Sequence, residues 1–286
     1  MKHDLAATSA RRAVRSHDEN FPVLFRLLDR ERRDDLAAIY AFCRRTDDLG
    51  DEADGDRLDL LDRFEDEVLA AVEAGPDRCP PHLRGLVRAV SHRSIGTDPF
   101  LRLIEANRMD QRQDRWESHD ELLRYCEHSA TPVGQMVLAV LGYRDQERRA
   151  LSDSTCIGLQ LINFLQDVGE DLGDRGRIYL PAEEMRRVGV SEDDLRRPAA
   201  SQEVRSLMRS EVERARGYLD RGAPLARRVG WRARLDIACF TAGGRALCDA
   251  IADQGYDTLA SRPAPGRRGR ARIVARTLGQ LLRVAR

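Results

Sequence analysis

The chain has 286 residues, 42% hydrophobic and 34% charged, a composition that suits a folded helical protein with a sizeable core and excludes disorder. Acidic and basic residues balance at 48 each, yet the stretch from Ser261 to Arg286 holds eight arginines and no acid, so the remainder is net acidic. The only lysine is Lys2 and there is no GxGxxG, which excludes a Walker A loop, a Schiff-base lysine and the usual nucleotide fingerprints; nothing points to a nucleic-acid partner.

The six cysteines form no CxxC and the six histidines no HxxxH, so neither a zinc site nor a disulfide framework is signalled. No apolar run reaches the roughly 18 residues that span a bilayer, and Met1 to Arg15 lacks the apolar core of a signal peptide. A cytoplasmic protein is expected.

Apolar residues recur every three or four positions almost throughout, which predicts an all-α fold. Helices are expected near 5–16, 20–30, 33–50, 57–74, 81–94, 98–113, 118–129, 132–142, 145–171, 201–221, 231–255 and 268–285, with prolines between them or at first turns. No linker divides the chain, so one domain over 1–286 is expected, closed by a basic amphipathic segment at 261–286.

The helix expected at 33–50 is apolar over most of its circumference from Leu36 to Leu49, which reads as the buried centre of a bundle. It ends in Asp47-Asp48-Leu49-Gly50-Asp51-Glu52, where Asp47 and Asp51, four residues apart, share one face and can share a cation. The segment at 57–74 is a narrower stripe whose Asp62 and Asp66 have the same spacing among charged neighbours, and reads as solvated surface.

The helix expected at 145–171 is nearly uncharged from Cys156 to Gln166, then carries Asp167 and Asp171. Asn163, Asp167 and Asp171 make a row of oxygen ligands about 12 Å long. Carboxylates in so apolar a setting need pairing, protonation or metal. An arginine network using Arg44, Arg45, Arg175 and Arg177 is one reading, and a hard cation is the other; magnesium suits oxygen ligands and bridges carboxylates to phosphates, which implies a diphosphate substrate.

In the tail, Val274, Leu278, Leu281, Leu282 and Ala285 fall on one helical face with Arg272, Arg276, Arg283 and Arg286 around it. Such a helix either docks on the bundle or lies on an anionic membrane surface.

These motifs resemble the squalene/phytoene synthase family: Tyr40-Ala-Phe-Cys-Arg44 leading into the first acidic motif, Gly158-Leu-Gln-Leu-Ile-Asn-Phe-Leu-Gln-Asp-Val-Gly-Glu-Asp171, and Gly176-Arg-Ile-Tyr-Leu-Pro181 after it. The resemblance implies an isoprenoid-synthase-type helical bundle with a central cavity, in which Asp47, Asp51, Asn163, Asp167 and Asp171 bind magnesium. Tyr40, Arg44, Gln160 and Arg177 would line the same cavity, Arg44 on diphosphate oxygens; Arg177 has the alternative of pairing with Glu170 or Asp171.

The stretches Glu19-Asn-Phe-Pro-Val23, Leu103-Ile-Glu-Ala-Asn-Arg-Met-Asp-Gln111 and Tyr125-Cys-Glu-His-Ser-Ala-Thr-Pro-Val-Gly134 are similar to the bacterial hydroxysqualene synthase branch. In that branch presqualene diphosphate and water give hydroxysqualene and diphosphate beside hopanoid synthesis. Gln166 stands where phytoene and dehydrosqualene synthases usually have arginine, and Asn20, followed by Phe21, replaces a family serine near the entrance. Tyr40, Phe42 and Phe164 offer aromatic faces to a carbocation, or simply pack. Two rival readings are head-to-head condensation of two prenyl diphosphates and a non-catalytic assembly partner of prenyl enzymes. Expected partners are the prenyl diphosphate, pathway enzymes and, through the tail, a membrane surface.

Overall fold

The computed structural model describes residues 27–266, 269, 273 and 275–277. Its helices are α1 (Arg30–Asp47), α2 (Arg57–Ala74), α3 (Arg84–Arg93), α4 (Asp98–Arg112), α5 (His119–Ser129), α6 (Thr131–Leu141), α7 (Gln146–Gln166), α8 (Ala182–Arg187), α9 (Glu192–Leu195), α10 (Gln202–Gly222), α11 (Leu225–Arg228) and α12 (Trp231–Asp253). Two five-residue π turns, Asp48–Glu52 and Asp171–Arg175, interrupt the series. Among the described residues, extended pairing is limited to an isolated bridge between Arg115 and Ile178. None of the described helices is long and apolar enough to cross a membrane.

The chain forms two compact units, one comprising the described residues up to Arg112 with His128–Arg149, the other Gln113–Glu127 with those from Ala150 onward. In the first, Asp29 starts α1 by accepting the backbone N–H of Arg32 at 2.9 Å. Leu36, Ile39 and Phe42 then recur at helical spacing and are buried as α1 packs on α3, α4 and α6. Phe42 stacks on Phe64 at 5.6 Å between centroids and meets the edge of Phe100 at 5.1 Å. An ion pair, Arg93 Nε to Asp35 Oδ2 at 2.6 Å, ties α3 to α1. Asp35 is only 1% exposed, so removal of Arg93 would leave a buried charge at a cost of about 3–5 kcal/mol.

In the second unit, α10 and α12 pack along each other, and α7 approaches them through glycines. A Cβ on Gly222 would fall 2.1 Å from Thr155 Oγ1, and one on Gly158 2.9 Å from the backbone nitrogen of Leu219.

Several expected boundaries shift. The helix expected at 5–16 and most of that at 20–30 lie outside the described residues, and 27–29 form a turn before the Asp29 cap. The expected 33–50 helix leaves α geometry after Asp47, and the expected 145–171 helix breaks at Asp167, whose φ of −107° and ψ of 11° are not helical. The short helices α8, α9 and α11 went unforeseen, since one turn is too short to display a period. In the tail, Arg276 pairs with Asp249 of α12 at 3.1 Å and Thr277 is buried with its hydroxyl 3.7 Å from Cys239 Sγ, as the docked arrangement expects at these residues. The apolar face named for the tail lies outside the described residues.

Candidate active site

The first acidic segment belongs to the first unit. Tyr40, Arg44, Asp47 and Asp51 follow one another along the end of α1 and its π turn, which is closed by the bond from Ala53 N–H to Asp48 O at 2.9 Å. Arg44 bridges two acids of the same segment, with Nε 2.8 Å from Asp48 and Nη2 2.8 Å from Glu52. Asp47 is exposed and Tyr40 and Asp51 half-buried.

A π turn removes its carbonyls from the regular i→i−4 ladder, and α4 supplies substitutes. Gln111 Nε2 donates to the carbonyl of Gly50 at 2.9 Å, and Asn107 Nδ2 lies 3.5 Å from Asp47 Oδ1. The fit is tight: a Cβ on Gly50 would stand 2.0 Å from Asn107 Oδ1.

The second acidic segment belongs to the second unit. Gln160 and Asn163 are half-buried on α7, and after the break at Asp167 one helical turn leads into the π turn Asp171–Arg175. Asp171 is buried, and burial first, then repulsion from Asp167, lifts its carboxyl to about 6; Arg175, 3.1 Å away, and Arg177 oppose the rise. Arg177 is itself buried, and its backbone N–H donates to the carbonyl of Asp171 at 3.0 Å.

Asp167 is held by Arg262, with Nε to Oδ1 at 2.6 Å and Nη2 to Oδ2 at 3.2 Å. Beside it the buried amide of Gln166 donates to the carbonyl of Pro263 at 2.5 Å. Gln166 therefore directs one amide N–H to the backbone of the C-terminal segment, and Arg262 brings a cation to the neighbouring aspartate.

Below this segment, Phe164 stacks on Tyr179 at 4.0 Å and Tyr179 on Trp116 at 4.4 Å, all three buried. The strip 176–180 is fastened by Ile178 N–H to Asp114 O at 3.0 Å and by Arg115 to Gly176 O at 2.5 Å. Phe164 thus lies in an aromatic slab, whereas Phe42 is core packing between Phe64 and Phe100.

Among the described residues no three Asp, Glu, His or Cys side chains converge as a ready-made metal cage. The donor chemistry still suits a hard cation, since the candidates are carboxylate and amide oxygens and the two acids of the second segment already draw cations, Arg262 on Asp167 and Arg175 on Asp171. Such a set fits an ion that takes one or two carboxylates and completes its shell with water and phosphate.

The sequence model describing squalene/phytoene synthases matches residues 14–274. The chain belongs to the squalene/phytoene synthase family. A relative named hydroxysqualene synthase, from Rhodopseudomonas palustris, is 35% identical over 83% of this chain and 81% of its own length. The solved squalene synthase HpnC from Alicyclobacillus acidocaldarius is 40% identical, with a TM-score of 0.81 over 88% of this chain and 94% of that one. A solved dehydrosqualene synthase in complex with ligand is 24% identical with a TM-score of 0.85, covering 97% of this chain and 96% of its own; it speaks for the fold alone. The fold is therefore the isoprenoid-synthase helical fold.

Within this squalene/phytoene synthase chain, the structure brings Tyr40, Arg44, Asp47 and Asp51 together on one segment and Gln160, Asn163, Gln166, Asp167, Asp171 and Arg177 on another. Asn20 and Phe21 lie outside the described residues. Sequence reasoning missed Asn107, Gln111, Tyr179 and Arg262 as parts of these segments. It also passed over the one available signal: Asp-Leu-Gly-Asp occurs at 48–51 and again at 171–174, each time at a π turn.

Proposed function

We propose that the chain converts presqualene diphosphate and water to hydroxysqualene and diphosphate with magnesium as its metal. The observation that carries this reading is the second acidic segment, where Asp167 and Asp171 stand one turn apart past the uncharged part of α7 and each draws a cation, Arg262 and Arg175, as a row built for positive charge would. The name of the Rhodopseudomonas palustris relative supports water as the second reactant.

In this reaction the carbon–oxygen bond to diphosphate breaks with its electron pair leaving on the diphosphate. Water oxygen bonds to the resulting carbocation and releases a proton, so no reductant is consumed. Asp47 and Asp51 on the first segment, and Asn163, Asp167 and Asp171 on the second, would each hold magnesium, which when bound supplies positive charge for the leaving diphosphate. Arg44 would trade its Asp48 and Glu52 partners for diphosphate oxygens, a charge-assisted bond of the same kind. Gln160 and Arg177 flank the second row; Phe164 and Tyr179 give the cation π faces. Asn20 and Phe21 are retained as proposed entrance residues. Since substrate and product are very apolar, we place the reaction in the cytoplasm close to a membrane surface, within reach of enzymes of the same pathway.

The test uses purified protein, magnesium and presqualene diphosphate in oxygen-18 water without NADPH. Labelled alcohol is expected, and EDTA should stop its formation until magnesium is restored. Unlabelled alcohol, or activity that survives thorough chelation, overturns the reading. A second reading, condensation of two prenyl diphosphates, is favoured by the name of the solved Alicyclobacillus acidocaldarius relative. Consumption of farnesyl diphosphate alone would select it.

A further inference from the structure

Two neighbouring residues at the end of α7 grip two neighbouring residues of the C-terminal segment. Gln166 takes the carbonyl of Pro263 and Asp167 takes the guanidinium of Arg262, across 97 and 95 residues of sequence respectively. The two grips differ in kind. Gln166 is 2% exposed and its bond joins two neutral groups in a buried place, so it is insensitive to added ions. The Arg262–Asp167 pair is charged and its arginine side chain is 45% exposed, so another cation can replace it.

Arg262 also has somewhere to go. Its Nε is 3.5 Å from Glu170, a half-exposed acid one turn further on. A cavity of about 490 Å³ opens beside the pair, lined by Gln166, Glu170 and Arg262 together with Leu195, Thr258 and Leu259. A guanidinium tethered through Pro263 can thus swing from Asp167 toward Glu170 without leaving the segment.

We infer that Arg262 is a resident counter-ion of the second acidic segment, posted at Asp167 by the Gln166–Pro263 tether and moved to Glu170 when a divalent cation takes Asp167. Gln166 is then a positioning residue. This rests on the metal reading above, and it adds that the second row is never left with bare carboxylates: one cation is exchanged for another. Metal affinity at this row is consequently lowered by the competing arginine.

The test measures binding of Mn²⁺ alone to the full chain, reading free Mn²⁺ by electron paramagnetic resonance, which requires no turnover. Arg262→Ala should tighten Mn²⁺ binding about fivefold, the equivalent of one partly exposed ion pair. Gln166→Leu, which cuts the tether while keeping the bulk, should tighten it by a smaller factor. Both gains should vanish when combined with Asp167→Asn. Arg262→Gln gives a second route if the alanine variant folds poorly. Unchanged or weaker binding in the Arg262 variants, while Asp167→Asn alone weakens it, overturns the counter-ion role and leaves the metal reading standing. Binding indifferent to Asp167→Asn overturns both.

Discussion

The two acidic segments share a tetrapeptide and a π turn, yet they are held by different chemistry. The first is braced from α4 by neutral amides, Gln111 fastening the Gly50 carbonyl and Asn107 sitting over it near Asp47, while Arg44 of α1 pairs with Asp48 and Glu52 at the two ends of the turn itself. The second is held by cations, Arg262 on Asp167 and Arg175 on Asp171, in a more buried setting that raises the Asp171 carboxyl. Neutral packing fixes direction whatever the ionic conditions, whereas charge pairing adjusts with them. One turn is a preset bracket and the other an exchangeable ion site.

The largest expected effect breaks both at once. Asp47→Ala and Asp167→Ala should each reduce turnover by about a thousandfold or more while circular dichroism stays native. Full activity in either variant removes that segment from the site.

The next effect separates the segments. Gly50 and Gly173 hold the same place in the two tetrapeptides, but a Cβ on Gly50 meets Asn107 at 2.0 Å whereas one on Gly173 meets nothing within 4 Å. Gly50→Ala should therefore destabilise the protein by about 1–3 kcal/mol in urea unfolding and lower turnover, and Gly173→Ala should be tolerated. Equal responses would mean that α4 does not brace the first turn.

Asp236 sharpens the comparison as a buried acid without an acidic neighbour raising it. On α12, its Oδ2 has no hydrogen-bond partner and burial raises it to about 6. The folded protein then holds this proton more tightly than the unfolded chain, so the burial penalty is absent below the unfolded value of 3.8 and complete above about 6. Stability contributed here falls as pH rises through that window. Asp236→Asn should remove the slope and stabilise the protein by about 2 kcal/mol near pH 8, with little effect near pH 4. Urea melts at the two pH values check it, and added magnesium should not alter the difference between variant and parent.

The smallest effect concerns Asp62. It lies on the charged stripe as the sequence suggests, but it also accepts from the largely buried Arg108 at 2.8 Å. Glu65 and Glu105 remain on that arginine, so Asp62→Ala should cost no more than about 1 kcal/mol and leave turnover unchanged. A large loss of activity would extend the first segment onto α2.

How much of this was legible follows from where each signal lives. The helical fold and the core positions Leu36, Ile39 and Phe42 were readable because burial leaves a period in the sequence. The acidic segments stood out because charge inside an apolar run is costly. The π turns set no period of their own, and their one mark in the sequence, the repeated Asp-Leu-Gly-Asp, names no backbone geometry; the break at Asp167 leaves no proline or glycine at that position to announce it. Asn107 and Arg262 were hidden for another reason: they lie 60 and 95 residues from the aspartates they serve, and only packing brings them there.

The glycine contacts beside α7 have a mechanical meaning. With Gly222 against Thr155 and Gly158 against Leu219, neither glycine leaves room for a Cβ, and a backbone nitrogen of the facing helix lies within 3 Å of where each would stand, so the two backbones run close together. Side chains can shear by changing rotamer; touching backbones cannot, so α7 resists sliding along its axis or turning about it. The post that carries Gln160, Asn163 and Gln166 is therefore stiff over its final turns, and compliance is concentrated past the break at Asp167. Amide exchange should map that gradient directly, with the slowest protons near Thr155 and Leu219 and the fastest in the π turn beyond.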